Sequence, residues 1–581
     1  MNRRWEWLFA GCIAACANVA AAQEIPSVAG WQIAMPTPAS HRACVDLTAA
    51  RTGKSCGKIV GITDEKGARA GFIHDFHAKT AIPAGRTYRY AVSYRTEDAA
   101  EGAARVIVDS YTKEGEKSRR ELVLQKLAPS VQWQTVTGEV AVPEKVVRVR
   151  MLLYLQGKGT VWFDDVFFGD TANGAANRLK NGGLEPPDSL AYEMAPERKS
   201  GPVKFAADFD NATLGIVKQL GPDEFYVHAL PGGNKSPFLW FHFRVEGAAG
   251  RELMFHVNTA PFSRDNTGGN GTRLPVASDD GDHWVGVENK SWSDDGTVLT
   301  FKHRYERSPA WVASFFPFTD AHIVRFIEQQ KANPCFKTGV LGKTKGGRDM
   351  RLFTITEPTV PDAEKRVIMF TTLQHDLETT GAMAVEGICR FLLSDDPRAA
   401  GLRRAFVFYV VPMMDPDGIA QGNMYCPVGN LNRQWGSGTT SETTHVEKFI
   451  KDLASRGRKL ELFMDFHGWC TPERKTIFMA FGKEITSETS ERDATRLAET
   501  IKPKLSGTVS TPIWRKRIAT VTGITSDLNC LACGWMKFEA SARLAYSIEI
   551  FGEGECTQAG YHQWGRAFAE GIAEFYDCGR Q

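Results

Sequence analysis

Beyond residue 320 the chain runs through five short apolar segments, at residues 367–373, 405–413, 460–466, 476–480 and 545–550. They restrict its fold more than any other feature. Each is too continuously apolar for a strand wetted on one face, and each is separated from the next by stretches with helical spacing. After the first, for example, Met383, Val385, Ile388, Phe391 and Leu392 share one side of a helix. Buried strands alternating with helices predict an α/β domain over residues 320–581, with a mixed central sheet covered on both faces. In such sheets functional groups collect just past the C-terminal ends of the strands.

At 581 residues there is room for more than this domain, since one domain takes roughly 150 residues. Residues 23–170 alternate apolar and polar positions between turn signals, which predicts a β-sandwich. Its closing run, Gly159-Thr160-Val161-Trp162-Phe163-Asp164-Asp165-Val166 after Trp133 and Val142-Pro143, resembles the last strands of jelly-roll carbohydrate-binding modules. That resemblance implies carbohydrate as a second partner, with a plain spacer as the alternative. Breaker pairs such as Asn181-Gly182 and Pro186-Pro187 mark residues 171–202 as a linker. Residues 203–319 predict a second β-sandwich preceding the α/β domain. The expected architecture is therefore multidomain, with two N-terminal sandwiches ahead of the α/β domain.

A net charge of +2 gives no reason to expect a nucleic-acid partner. Residues 1–22 combine Arg3 and Arg4, a short apolar run and Ala20-Ala21-Ala22, which reads as a signal peptide and predicts export, periplasmic or secreted. Lipoprotein anchoring at Cys12 is the less favoured alternative. No later stretch reaches the ~18 apolar residues of a membrane span. In an exported chain Cys44 and Cys56 are expected to form a disulfide.

Chemistry concentrates at the ends of the apolar segments. The first runs into Gln374-His375-Asp376-Leu377-Glu378, the third into Asp465-Phe466-His467-Gly468. His375 and Glu378, three apart at a strand-to-helix turn, can face one point, and His467 arrives from another strand 92 residues later. Three such ligands leave tetrahedral zinc a fourth position for water, as in a catalytic site. Glu378 as a residue favoured by the helix dipole is the plainer alternative. In the last segment Glu549 sits between Ile548 and Ile550, where an unpaired carboxylate is costly unless it has a partner or a task. Taking a proton from zinc-bound water is such a task. Asp465 suits a carboxylate that orients His467 or His375, or one that bonds backbone groups.

With these residues in place, the region from about 320 to 575 resembles the zinc carboxypeptidases, the family of carboxypeptidase A. It looks most like the cytosolic-carboxypeptidase branch, which trims glutamates from proteins. His375-Asp376-Leu377-Glu378 and His467 match the family's zinc motif. Val411-Pro412 to Gly418, then Gly422-Asn423, match its proline-rich element. Leu431-Asn432-Arg433 matches its Leu-Asn-Arg, and Tyr546 to Ile550 its catalytic glutamate strand. Trp240 to Val245 and Phe316-Pro317-Phe318 resemble the β-domain that precedes the catalytic one in that branch.

The resemblance implies one Zn2+ per chain, held by His375, Glu378 and His467. It implies Glu549 as general base and a substrate carboxylate bound by Asn432 and Arg433, whose planar fork suits it. The implied activity is metallocarboxypeptidase hydrolysis of C-terminal peptide bonds. Tyr425 stands where the family places an oxyanion-stabilising arginine, and loss of such a donor costs ~10²–10³ in rate. Tyr425 is therefore a candidate substrate-binding residue. It also motivates a second reading, a zinc amidase or esterase acting on cell-wall peptide or a decorated sugar. A third reading is an inactive carbohydrate- or peptide-binding protein.

Overall fold

A computed structural model gives the fold. It describes residues 24–25, 31–34 and 40–578, apart from 66, 78–81, 113–118, 172–175, 180, 186–187, 199–200, 230–239, 260–274, 294–295, 423–426, 469–474, 511, 518–527 and 553–555. The segment expected to be a signal peptide, with Cys12, lies outside the described residues, as does Tyr425. The chain divides into two compact units, one of residues 1–196 with 292–298, the other of residues 197–291 with 299–581.

The first unit is β-rich. A six-stranded and a five-stranded sheet supply residues to one apolar core, among them Val45, Val161 and Phe163 from the first and Phe72, Val106 and Leu153 from the second. Alternation drives this. In Arg148–Gln156 the residues Val149, Met151, Leu153 and Leu155 point into the core, and Arg148, Arg150 and Tyr154 lie on the opposite face. The expected Cys44–Cys56 disulfide is corrected. Antiparallel register pairs Cys44 with Lys58 and Asp46 with Cys56, and Cys56 is a thiol whose Sγ donates to the Ala49 carbonyl.

Two further five-stranded sheets occupy residues 204–313, a span that belongs to the second unit apart from residues 292–298. Beyond them run α1 (Asp320–Gln330), β1 (Phe336–Lys343), β2 (Asp349–Ile355), β3 (Arg366–Thr372), α2 (Thr379–Leu392), α3 (Pro397–Ala405), β4 (Phe406–Val411) and α4 (Pro416–Gln421). There follow α5 (Ser441–Ser455), β5 (Leu460–His467), β6 (Ile477–Phe481), α6 (Glu488–Ile501), β7 (Ile513–Arg517), α7 (Ala532–Phe538), β8 (Leu544–Glu549) and α8 (Gln558–Phe575). The strands form one eight-stranded sheet, in the order β1-β2-β4-β3-β5-β8-β6-β7. Its centre, β4-β3-β5-β8, is parallel. The β1–β2, β2–β4 and β8–β6 pairs are antiparallel, so the sheet is mixed.

The five apolar segments became β3, β4, β5, β6 and β8, which form the middle of the sheet. Helices cover it: α2, α8 and α6 pack in one apolar cluster with Phe370, Met464, Phe466 and Ile548, and α5 and α7 pack in another with Met369, Phe463 and Ala545. The parallel centre turns the C-terminal ends of β3, β5 and β8 the same way, which places His375, His467 and Glu549 at one edge.

Candidate metal centre

Three chain segments converge at that edge. Leu373 closes β3 with φ +57°, a left-handed backbone, and the next turn carries His375 to the start of α2. Glu378 occupies the N-cap of α2, but its side chain caps nothing there. Instead, Glu378 Oε1 lies 3.0 Å from His375 Nδ1 and Oε2 lies 2.7 Å from His467 Nδ1. The Gly468 N–H donates to Oε2 at 3.3 Å. The reading of Glu378 as a dipole-favoured helix start therefore does not describe how the side chain is used. Gly468 follows His467 with φ +120°, and a Cβ there would sit 2.0 Å from the Ile550 carbonyl oxygen, so only glycine allows the chain to leave β5 beside β8.

The three residues offer one ligand atom each within 4.8 Å of one another. Glu378 and His467 are buried and His375 nearly so. Burial pushes the Glu378 carboxyl up, but the His375 and His467 imidazoles outweigh it and hold the group below the usual carboxylate range. Burial likewise works against charge on His467, yet Asp465 and Glu378 hold its pKa well above the ordinary value. A largely buried cluster of carboxylates and imidazoles that attracts positive charge, with two Nδ1 atoms and a carboxylate converging, fits a zinc ion.

Glu549 is paired in register with His467 across β5 and β8. Its Oε2 is buried without a hydrogen-bond partner among the described residues. Burial, followed by the Glu378 charge, lifts its carboxyl to about 7 against the pull of the two imidazoles. A carboxyl poised near neutrality can accept and return a proton.

Around these groups lie Asp465, expected from the sequence as an orienting carboxylate, and several residues that sequence reasoning passed over. His375 Nε2 is 3.0 Å from Asn430 Oδ1, and His467 Nε2 is 2.6 Å from Asp465 Oδ2. Asp465 also accepts from Thr371 Oγ1 at 2.7 Å and from Gln374 Nε2 at 2.5 Å, while Gln374 Oε1 accepts from Trp435 Nε1 at 2.7 Å. The signal available for the residues passed over was Gln374 itself, a polar residue at the end of an apolar strand. Asp376 is buried too, and burial together with Asp415 raises its carboxyl well above the usual range. Both carboxyls crowd Gly418, where a Cβ would lie 1.7 Å from Asp376 Oδ2 and 2.6 Å from Asp415 Oδ2.

Asn432 is buried against the cluster, its Nδ2 3.2 Å from His467 Nε2 and its Oδ1 accepting from the Ala532 N–H at 3.0 Å. Arg433 stands one residue further out. It donates to the Asn432 carbonyl at 2.6 Å and lines a cavity of about 610 Å³ with Trp435, Lys451, Lys459 and Trp535.

Residues 323–445 match the zinc carboxypeptidase family, and residues 205–315 match the cytosolic carboxypeptidase N-terminal domain. The chain carries a zinc carboxypeptidase domain behind a cytosolic carboxypeptidase N-terminal domain. It is a zinc carboxypeptidase-like hydrolase. The matched stretch holds His375, Glu378, Asn432 and Arg433 and ends before His467 and Glu549. Cytosolic carboxypeptidase 6 of Caenorhabditis elegans is 25% identical over 434 residues, covering 68% of this chain and 91% of that one. Cytosolic carboxypeptidase 2 of Xenopus tropicalis is 32% identical over 192 residues, 31% of this chain and only 20% of that one. Cytosolic carboxypeptidase 6 of Mus musculus is matched over 54% of its length. Among solved structures, a metallo-carboxypeptidase from Burkholderia cenocepacia shares the fold with a TM-score of 0.54 and 23% identity, over 65% of this chain and 99% of that one.

The expectation of export is overturned by these matches. The N-terminal domain and the curated relatives are those of cytosolic carboxypeptidases, which point to an intracellular location. No helix among the described residues is long and apolar enough to cross a membrane. Nothing in the matches supports a carbohydrate partner for the first unit.

Proposed function

We propose that this chain is a metallocarboxypeptidase that hydrolyses C-terminal peptide bonds, with zinc held by His375, Glu378 and His467. One observation carries the reading: both histidine Nδ1 atoms converge on Glu378, while Glu549, in register with His467, has a buried oxygen without a partner among the described residues and feels the charges of Glu378, His467 and His375. Bound zinc supplies a Lewis acid that activates water near neutral pH and polarises the scissile carbonyl. Glu549 takes the proton of the attacking water and returns it to the leaving amine, a transfer suited to its near-neutral pKa. The Asn432 amide has its oxygen occupied by the Ala532 N–H, so its NH₂ group is the end offered to a substrate carboxylate. Arg433 adds a two-pronged donor to the same carboxylate.

The two pairs of β-sheets are read as sandwiches, giving a layout of 23–170, a linker over 171–202, 203–319 and the catalytic domain over 320–581. Metal analysis tests the site first, with about one zinc per purified chain expected. Glu549→Gln should keep that zinc and lose turnover by ~10²–10⁴. A peptide with a free C-terminus and the same peptide amidated then test the substrate. Cleavage of the free form alone supports the carboxylate-reading role of Arg433. Equal rates on both would replace it with the amidase reading.

A further inference from the structure

The orientation of the Gln374 amide behind His467 is fixed by Trp435, a residue that no motif singles out. An indole N–H can only donate. Trp435 Nε1 lies 2.7 Å from the terminal amide of Gln374, so the amide oxygen must face it and the nitrogen must face Asp465 Oδ2, 2.5 Å away. The flipped amide would set N–H against N–H at one end and oxygen against oxygen at the other. Thr371 Oγ1 donates to the second oxygen of Asp465 at 2.7 Å. Both oxygens of Asp465 thus accept hydrogen bonds, the arrangement that suits a carboxylate. His467 Nε2, 2.6 Å from Oδ2, must then be the donor. The lone pair of the neutral ring falls on Nδ1, the atom that points into the ligand cluster. Asn432 Nδ2, the other atom near Nε2, is a donor at 3.2 Å that would favour a lone pair there, but the Asp465 oxygen is closer at 2.6 Å and takes the ring N–H. Thr371, Gln374, Trp435, Asp465 and His467 are all at most 2% exposed, so no solvent molecule substitutes for a missing link.

We propose that Trp435, Gln374 and Asp465 form a positioning relay that sets the tautomer and ring orientation of His467 for metal binding. It rests on the metal-site reading above and adds to it a role for two residues outside the site. The other histidine is backed differently. His375 Nε2 meets the neutral amide oxygen of Asn430, so the relay strengthens one ligand and leaves its partner weaker.

The test uses the full chain, stripped with a chelator and titrated with zinc against a chromophoric chelator. The cobalt(II) form gives a second readout through its visible bands. Asp465→Asn should weaken zinc binding 10–100-fold. Trp435→Phe keeps an aromatic ring but frees the Gln374 amide to flip, and should weaken binding by several-fold and move the cobalt bands. Gln374→Leu should do the same, and the double variant should be no worse than Gln374→Leu alone. Far-UV circular dichroism and the urea midpoint of each zinc-free variant report folding. If Asp465→Asn does not fold, the Gln374→Leu and Trp435→Phe pair decides. Variants that bind zinc within twofold of wild type, with superimposable cobalt spectra, would overturn the relay while leaving the metal site standing. A wild-type chain that binds no zinc would instead sink the site itself.

Discussion

Replacing Glu549 with glutamine should change the stability of the zinc-free protein increasingly in the variant's favour as pH rises from acid to alkaline. Glu549 carries a carboxyl lifted from 4.5 to about 7, chiefly by burial and next by the charge of Glu378. For an acid whose folded pKa is raised, the unfolded chain gives up its proton first as pH rises. The penalty therefore begins near 4.5, grows to about 7 and is complete above it. At 1.36 kcal/mol per pKa unit the full cost is about 3 kcal/mol, of which less than about 1 is present at pH 5. An amide in the same place carries no such cost. It has an unsatisfied N–H of its own, worth roughly 1–3 kcal/mol, but that penalty does not change with pH. The diagnostic quantity is thus the change in the variant-minus-wild-type difference between pH 5 and pH 8, expected to favour the variant by about 2–3 kcal/mol. Urea unfolding of both stripped proteins at the two pH values measures it. Saturating zinc should shrink the effect, because a dication beside the carboxyl favours its ionised form. A difference that stays constant within about 1 kcal/mol from pH 5 to 8 would refute the buried, near-neutral carboxyl and the proton-carrier role built on it.

His242, buried on the strand His242–Glu246, should make the second unit acid-sensitive. Burial, then the nearby His322, lowers its pKa from 6.5 to about 3, so its contribution is whole above 6.5 and is lost as pH falls toward 3. The loss at pH 5 is about 2 kcal/mol, and urea unfolding of His242→Gln against wild type at pH 5 and 7.5 should show that much less acid dependence. Gly418→Ala should cost more than the ~1–3 kcal/mol of ordinary overpacking, because its Cβ meets the Asp376 carboxyl at 1.7 Å. A melting temperature within about 2 °C of wild type would contradict that crowding. Lys365, whose side chain is wholly buried, donates to Thr356 Oγ1, the Glu357 carbonyl and Asp362 Oδ1. Lys365→Met leaves those acceptors without their cation and should cost about 3 kcal/mol in chemical denaturation, with zinc stoichiometry unchanged.

What could be read from the sequence follows from how each part of the chain is buried. Residues 367–373, 460–466 and 545–550 are strands covered on both faces, and burial of that kind writes itself into sequence as unbroken apolar runs. The polar residues that end them stand out for the same reason, so His375, His467 and Glu549 were legible as a group. β1 was not, because Lys337, Thr338, Gly339 and Val340 are exposed on an edge strand and carry no apolar pattern. Ordering the strands also needs register, and nothing in the local sequence states that His467 stands opposite Glu549. The cysteines misled through a mistaken premise: an expected oxidising compartment made Cys44 and Cys56 look like a disulfide, whereas the register sets each beside another residue. Trp435 and Gln374 show the deepest limit. They are 61 residues apart, and each alone reads as ordinary core or turn. Their meaning lies in donor and acceptor direction, which exists only once the indole N–H, the amide and Asp465 are brought into contact. A candidate zinc ligand can be recognised by its type and spacing. The groups packed behind it are chosen by three-dimensional bookkeeping, and the relay proposed for this chain starts at an indole nitrogen three hydrogen bonds from His467.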